Sequence, residues 1–76
     1  MNKQRRKQIE EIREKLDTLK SDVEQLRDEE QDAFNNMPES LQASDRGQQS
    51  EDAASYIDDA LTALDEALSS LETATQ

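Results

Sequence analysis

The sequence predicts an all-α chain, folded as an antiparallel two-helix coiled-coil hairpin, and three observations carry that expectation. The 76 residues contain one Gly and one Pro, too few for the turns of a sheet and well suited to long uninterrupted helices. Two stretches repeat apolar residues at alternating spacings of three and four, the heptad signature of paired helices. The positions beside the two apolar seams carry opposite charge, which selects how the helices pair. With 37% charged and 32% apolar residues, and Phe34 and Tyr56 as the only aromatics, the composition alone would suit a disordered segment; the periodicity argues against one.

The first helix is expected over about residues 2 to 35. Ile9, Ile12, Leu16, Leu19, Val23 and Leu26 form its a/d seam, continued by Ala33 and Met37 and broken at Glu30. The second is expected over about residues 48 to 75, with Ala54, Ile57, Leu61, Leu64, Leu68 and Leu71 as its seam. Between them lies a turn over about residues 36 to 47 that holds Pro38 and Gly47. Pro38 lacks an amide donor and disfavours the α region at Met37, so one continuous helix is excluded. A short helical turn near 38–42, capped by Asn35 or Asn36, is expected there. Two caps compete for the second helix: Ser44 before Asp45, and Ser50 before Glu51 and Asp52, the latter leaving Gly47 in the loop.

Orientation follows from the flanks. The e positions of the first helix are Arg6, Arg13, Lys20 and Arg27, and those of the second are Glu51, Asp58, Asp65 and Glu72. In an antiparallel pair e faces e, so the two stripes meet. Partners in such a pair have nearly constant number sums. A sum of about 80 places Ile9 with Leu71, Ile12 with Leu68, Leu16 with Leu64, Leu19 with Leu61, Val23 with Ile57 and Leu26 with Ala54. The same frame predicts ion pairs Arg6–Glu72, Arg13–Asp65, Lys20–Asp58 and Arg27–Glu51. Exposed pairs of this kind select register more than they stabilise.

On the opposite flank the second helix carries Ala53, Ala60, Ala67 and Ala74 at g, with Ala63 and Tyr56 on the same side. Small residues in a row allow another helix to approach closely, and a two-helix protein of this size needs more apolar burial than one seam supplies. Self-association is therefore expected, a dimer forming a four-helix bundle being the simplest closed solution. Its contact residues would be Ala53, Tyr56, Ala60, Ala63, Ala67 and Ala74.

Composition excludes much chemistry. Without Cys or His there is no disulfide, no thiol nucleophile and no imidazole base or metal ligand. The acidic run Asp28-Glu29-Glu30-Gln31-Asp32 lacks the glycine and the terminal glutamate of a calcium loop and reads as a solvated helix face. No catalytic residue, metal or cofactor is expected. Residues 1–27 carry eight basic against six acidic side chains, whereas residues 28–76 carry only Arg46 against thirteen acids, giving +2 and −12 and the formal −10. Such a field repels nucleic acid and attracts basic surfaces. Lys3, Arg5, Arg6 and Lys7 lack interleaved aromatics and read as a solubilising terminus. No apolar run is long enough to span a bilayer, and the basic start leads into charged residues rather than a signal-peptide core, so a cytoplasmic protein without membrane contact is expected.

The turn is longer than a connector requires. Phe34, Met37 and Leu41, with Asn35, Asn36, Gln42 and Arg46, would either plug the bundle end and cap helices or form a recognition tip for a partner or small ligand. The run Asp28-Glu29-Glu30-Gln31-Asp32-Ala33-Phe34-Asn35-Asn36-Met37-Pro38-Glu39-Ser40-Leu41-Gln42-Ala43-Ser44-Asp45-Arg46-Gly47 resembles the turn of small phage and prophage helical-hairpin proteins, in which a pattern DEEQxxFxNxPExLQxSxxG joins two helices. The resemblance implies a viral origin, with the host cytoplasm as its setting, and no mechanism; a designed coiled coil would use a shorter idealised loop. A non-enzymatic, self-associating acidic protein is thus expected, binding and inhibiting a host nucleic-acid-binding or defence protein through a basic surface. Sequestration of a small ligand or nucleotide at the turn, and a purely structural bundle, are the alternatives.

Overall fold

The computed structural model describes residues 1–76 and contains three helices and no strand: α1 over Lys3–Asn35, α2 over Glu39–Gln42 and α3 over Asp45–Ala74. The long helices α1 and α3 run antiparallel in a hairpin of 58 × 15 × 12 Å, and α2 packs on α3 at the turn. No helix is long and apolar enough to cross a membrane.

Local chemistry explains each boundary. Asn2 caps α1, its side-chain oxygen accepting from the Arg5 amide at 2.8 Å. Asn36 closes α1, its amide donating to the Asp32 carbonyl at 2.9 Å while the Met37 amide donates to that of Phe34 at 3.1 Å. Neither Asn35 nor Asn36 caps α2, contrary to expectation; Pro38 does so without a side-chain bond. Its ring presets φ at −55°, and its carbonyl accepts from Leu41 and Gln42, so α2 starts on backbone bonds alone.

Helix α3 begins at Asp45 rather than near residue 48, because Ser44 wins over Ser50 as the cap. The Ser44 hydroxyl oxygen accepts from the Gly47 amide at 3.5 Å, and its carbonyl accepts from the Gln48 amide at 3.0 Å. Gly47 therefore sits inside the first turn of α3, fully buried. A Cβ at this position would fall well inside contact distance of the Leu41 and Gln42 main-chain oxygens. The close approach of α2 to α3 thus requires the absence of a side chain at residue 47.

The seam register is fixed by a hydrogen bond from Ser50 Oγ to Glu30 Oε1, at 2.8 Å. Their numbers sum to 80, the predicted frame. The ion pairs do not follow the predicted frame. Arg13 meets Glu72 at 3.8 Å, Lys20 meets Asp65 at 2.5 Å and Arg27 meets Asp58 at 2.9 Å, each summing to 85 rather than 78. The reason lies in side-chain direction. In an α-helix every Cα–Cβ bond tilts toward the N-terminus, so in an antiparallel pair the two arms converge only when each partner lies C-ward of the other's level. A sum of 85 supplies that offset, about 7.5 Å along the axis at 1.5 Å per residue. At 78 the arms would diverge. Arg6 and Glu51 make no ion pair, and at the same offset Glu51 stands against Phe34.

A second correction concerns which face of α1 meets α3. Helix α3 turns its expected a/d row inward, with Leu61 the one buried large side chain, at 6% exposure. Helix α1 instead presents its a and e rows: Ile9, Arg13, Leu16, Lys20, Val23, Arg27, Glu30 and Phe34 are all half-buried. Its d row is turned outward, leaving Ile12, Leu19 and Leu26 at 48%, 55% and 57% exposure. Relative to the predicted seam, α1 is rotated by about 50°, half the angular step between residues. The predicted partnerships Ile12–Leu68, Leu19–Leu61 and Leu26–Ala54 are replaced, at the same levels, by Arg13, Lys20 and Arg27. Long cationic side chains can do this because their methylene stems cover apolar surface while the charged head reaches water. At the turn end, Phe34 at e stands level with Gly47, the position with no side chain.

These contacts make Gly47 an inverted test of helix propensity. Gly→Ala inside a helix ordinarily stabilises by about 1 kcal/mol. Here Gly47→Ala is expected to destabilise the hairpin by about 1–3 kcal/mol through overpacking, read as a lowered urea midpoint at constant m-value.

Candidate functional site

Three surfaces carry the side chains of interest, and the hairpin holds each on a different side. The first is the e edge, where the stripes meet. Besides Asp65, Lys20 reaches Glu24 at 3.7 Å, and Arg27 also contacts Asp28 at 3.1 Å. The hydrogen bond to Asp65, followed by partly opposing desolvation, raises the Lys20 pKa above the ordinary lysine value; bonds to Asp58 and then Asp28 raise that of Arg27. Arg13 pays for its place in the seam, since its Nε is buried without a hydrogen-bond partner. Around Arg13 an open groove is lined by Glu10, Glu14, Asp17, Asp65 and Glu72. Its walls are acidic and it contains no imidazole or thiol. No three acidic side chains anywhere converge closely enough to hold a metal ion.

Of the eight acids on α3, Asp58, Asp65 and Glu72 are matched to α1 cations, while Asp45, Glu51, Asp52, Asp59 and Glu66 are not. Asp52, Asp59 and Glu66 recur every seven residues in the f row, which points away from α1, all exposed. They form an outward acidic stripe that no internal cation neutralises.

The turn is the second surface. Phe34 and Met37 are half-buried and Leu41 is 40% exposed. Gln42 is half-buried, its side-chain amide donating to the Phe34 carbonyl at 3.1 Å. Asn35, Asn36 and Arg46 are exposed. The turn residues therefore divide between closing the hairpin, as Phe34, Met37 and Gln42 do, and facing water. Phe34 and Arg46 do not share one environment.

The third surface lies opposite the e edge. Ala53 is half-buried at its margin; Ala60, Ala63, Ala67 and Ala74 are exposed, and Tyr56 is 74% exposed. Because e faces e on one side of an antiparallel pair, the d row of α1 and the g row of α3 lie together on the other. Ile12, Leu19 and Leu26 therefore join the alanines on a single open face. Sequence reasoning missed these three, having assigned them to the seam. The available signal was the basic e row, whose four- and three-carbon stems can replace aliphatic residues over a neighbouring helix.

No protein-family model, curated protein or solved structure matches this chain.

Two measurements probe the groups that hold these surfaces in place. Ser50→Ala leaves the half-buried Glu30 carboxylate without its donor and is expected to cost about 1–2 kcal/mol; combining it with Glu30→Leu should return stability to wild type or above, because both halves of the polar pair are then apolar. A double variant as unstable as the single one would contradict this account. The Lys20 pKa is raised in the folded state, so its contribution is complete below the unfolded lysine value of about 10.4 and is lost as pH rises through the folded one. Thermal melts above that value should show Lys20→Arg, which keeps its charge, losing less stability than the parent.

Proposed function

We propose that this chain is a non-enzymatic, self-associating interaction protein whose acidic stripe on α3 docks against a basic surface of another protein. The observation that carries this reading is the unneutralised, seven-residue repeat Asp52, Asp59 and Glu66 beside an edge where every other α3 acid of the central heptads already has its cation. Carboxylates that stabilise the hairpin are accounted for at e. Those in the f row meet no internal cation, Asp52 accepting only a hydrogen bond from the Gln48 side-chain amide at 2.9 Å, and in a chain of net charge −10 they raise the cost of folding through mutual repulsion. A basic partner relieves that repulsion on binding.

The resemblance of residues 28–47 to phage hairpins supplies the setting: a viral accessory protein acting in the host cytoplasm, where inhibition follows from occupying the basic surface of a nucleic-acid-binding or defence protein. Competition with a polyanion requires spaced carboxylates on a rigid support, and a long helix provides them at about 10 Å intervals, seven residues at 1.5 Å each. Self-association doubles the number of stripes presented by one particle and so favours partners that are themselves symmetric.

The test compares wild type with Asp52→Lys/Asp59→Lys/Glu66→Lys, all three exposed, as bait in host lysate. Wild type should retain strongly basic proteins at low ionic strength and release them toward physiological salt, where screening shortens the electrostatic reach to about 8 Å; the triple variant should retain none of them. Salt-insensitive capture, or equal capture by the triple variant, would refute the electrostatic reading.

A further inference from the structure

The open face opposite the e edge is the surface through which self-association is to be understood, and its composition specifies the occupant. On α3 the c and g rows from residue 53 onward are Ala53, Tyr56, Ala60, Ala63, Ala67, Ser70 and Ala74, without one charged group. In a chain with 37% charged residues this is a segregated face. All eight acids of α3 lie on two of its other rows, e and f. Beside the neutral face stand Ile12, Leu19 and Leu26, each about half exposed.

We infer that this face is the seat of a second copy of the chain, packed so that Ile12, Leu19 and Leu26 of each copy rest on the alanine rows of the other. This rests on the self-association proposed above and names the surface responsible. Three features select a second copy over any other occupant. First, sizes are complementary within one face: large side chains recur every seven residues on α1, small ones every seven on α3, at matching levels. Leu19 stands level with Ala60 and Ala63, and Ile12 with Ala67 and Ser70, in the frame set by the Glu30–Ser50 bond. A twofold axis parallel to the helices lays α1 of one copy over α3 of the other without axial shift, so Ile12 and Leu19 meet small residues and Leu26 meets Ala53 beside the exposed Tyr56 ring. Secondly, charge favours it. Two chains of net charge −10 repel wherever acids face acids, and this arrangement lays the acid-free rows of α3 against the aliphatic d row of the other copy's α1 while directing both acidic stripes outward. Thirdly, the area suffices. From Ala53 to Ala74 the face runs about 32 Å at 1.5 Å per residue, and two adjacent helices span about 20 Å. Burying roughly 600 Å² on each copy gives about 1,200 Å² in total, the lower bound of stable interfaces. It would also cover the aliphatic row that the hairpin alone leaves in water.

The experiment is the solution mass of the full chain by sedimentation equilibrium across a concentration series, with Leu19→Glu, Ala60→Glu and the pair Leu19→Ala and Ala60→Leu. Wild type should weigh twice 8.7 kDa. Each Glu variant should weigh 8.7 kDa at concentrations where wild type is dimeric, while keeping its helical circular dichroism, since both positions are exposed in the single hairpin. Ala60→Leu should weaken dimerisation at least tenfold by filling the slot, and adding Leu19→Ala should restore it, because the size exchange is reciprocal. A monomeric wild type at every concentration overturns self-association and this interface together. A dimeric Leu19→Glu that retains wild-type affinity overturns the interface alone, as does a wild-type mass greater than two chains. Failure of the exchange to rescue overturns the leucine-on-alanine seating.

Discussion

The tilt of side chains toward the N-terminus of their own helix is the constraint on which the arrangement of this hairpin depends. It decides that Arg13, Lys20 and Arg27 reach Glu72, Asp65 and Asp58, one heptad away from where a count of opposing positions puts them. To make those reaches the three cations lie across the seam, their stems over the levels of Leu68, Leu61 and Ala54. The a and e rows of α1 become its inner face and the d row becomes an outer one. An electrostatic preference thereby determines which aliphatic side chains remain in water.

The long helices, their antiparallel sense and the level frame were legible in the sequence because each depends on a periodic pattern repeated several times. Ile9 to Leu26 and Ala54 to Leu71 specify amphipathic helices whatever the turn does, and the e rows specify orientation whichever heptad the pairs choose. Rotation of α1 about its axis was not legible. Three rows, a, d and e, could each cover a neighbouring helix, and an a/d rule counts Arg and Lys as flanking groups rather than as covering ones. The start of α3 was open for a different reason: Ser44 and Ser50 are both competent caps, and the choice rests on Gly47 fitting under the carbonyls of α2, a tertiary fact with no local signature. Ser50, released from capping, became the donor to Glu30.

The candidate surfaces divide in the same way. The alanine row and the acidic stripe are positional repeats and could be read directly from spacing. Ile12, Leu19 and Leu26 became surface residues only through the rotation. For the turn, composition suggested one cluster, but Phe34 is half-buried, its main-chain carbonyl accepting from the Gln42 side-chain amide, whereas Arg46 stands in solvent. Acidic charge on α3 is partitioned around its axis: acids matched at e apart from Glu51, unmatched acids at f, none at c and g. A single helix thus offers three chemically distinct edges, one to its own chain, one to basic surfaces and one to an apolar neighbour.

Heptad repeats create a kinetic difficulty, since a hairpin slipped by seven residues still aligns leucines with leucines and cations with acids. The Gly47 contact resolves it in time as well as in space. Residues 41, 42, 44 and 47 are close along the chain, so their packing forms by closing a loop of fewer than about ten residues, a step of about 10–100 ns. Once α2 rests on the first turn of α3, Ser50 is delivered to Glu30, and the remaining layers close outward in sequence from a fixed origin. Closure is therefore expected to start at the turn, ahead of slipped alignments that would have to begin at the open ends.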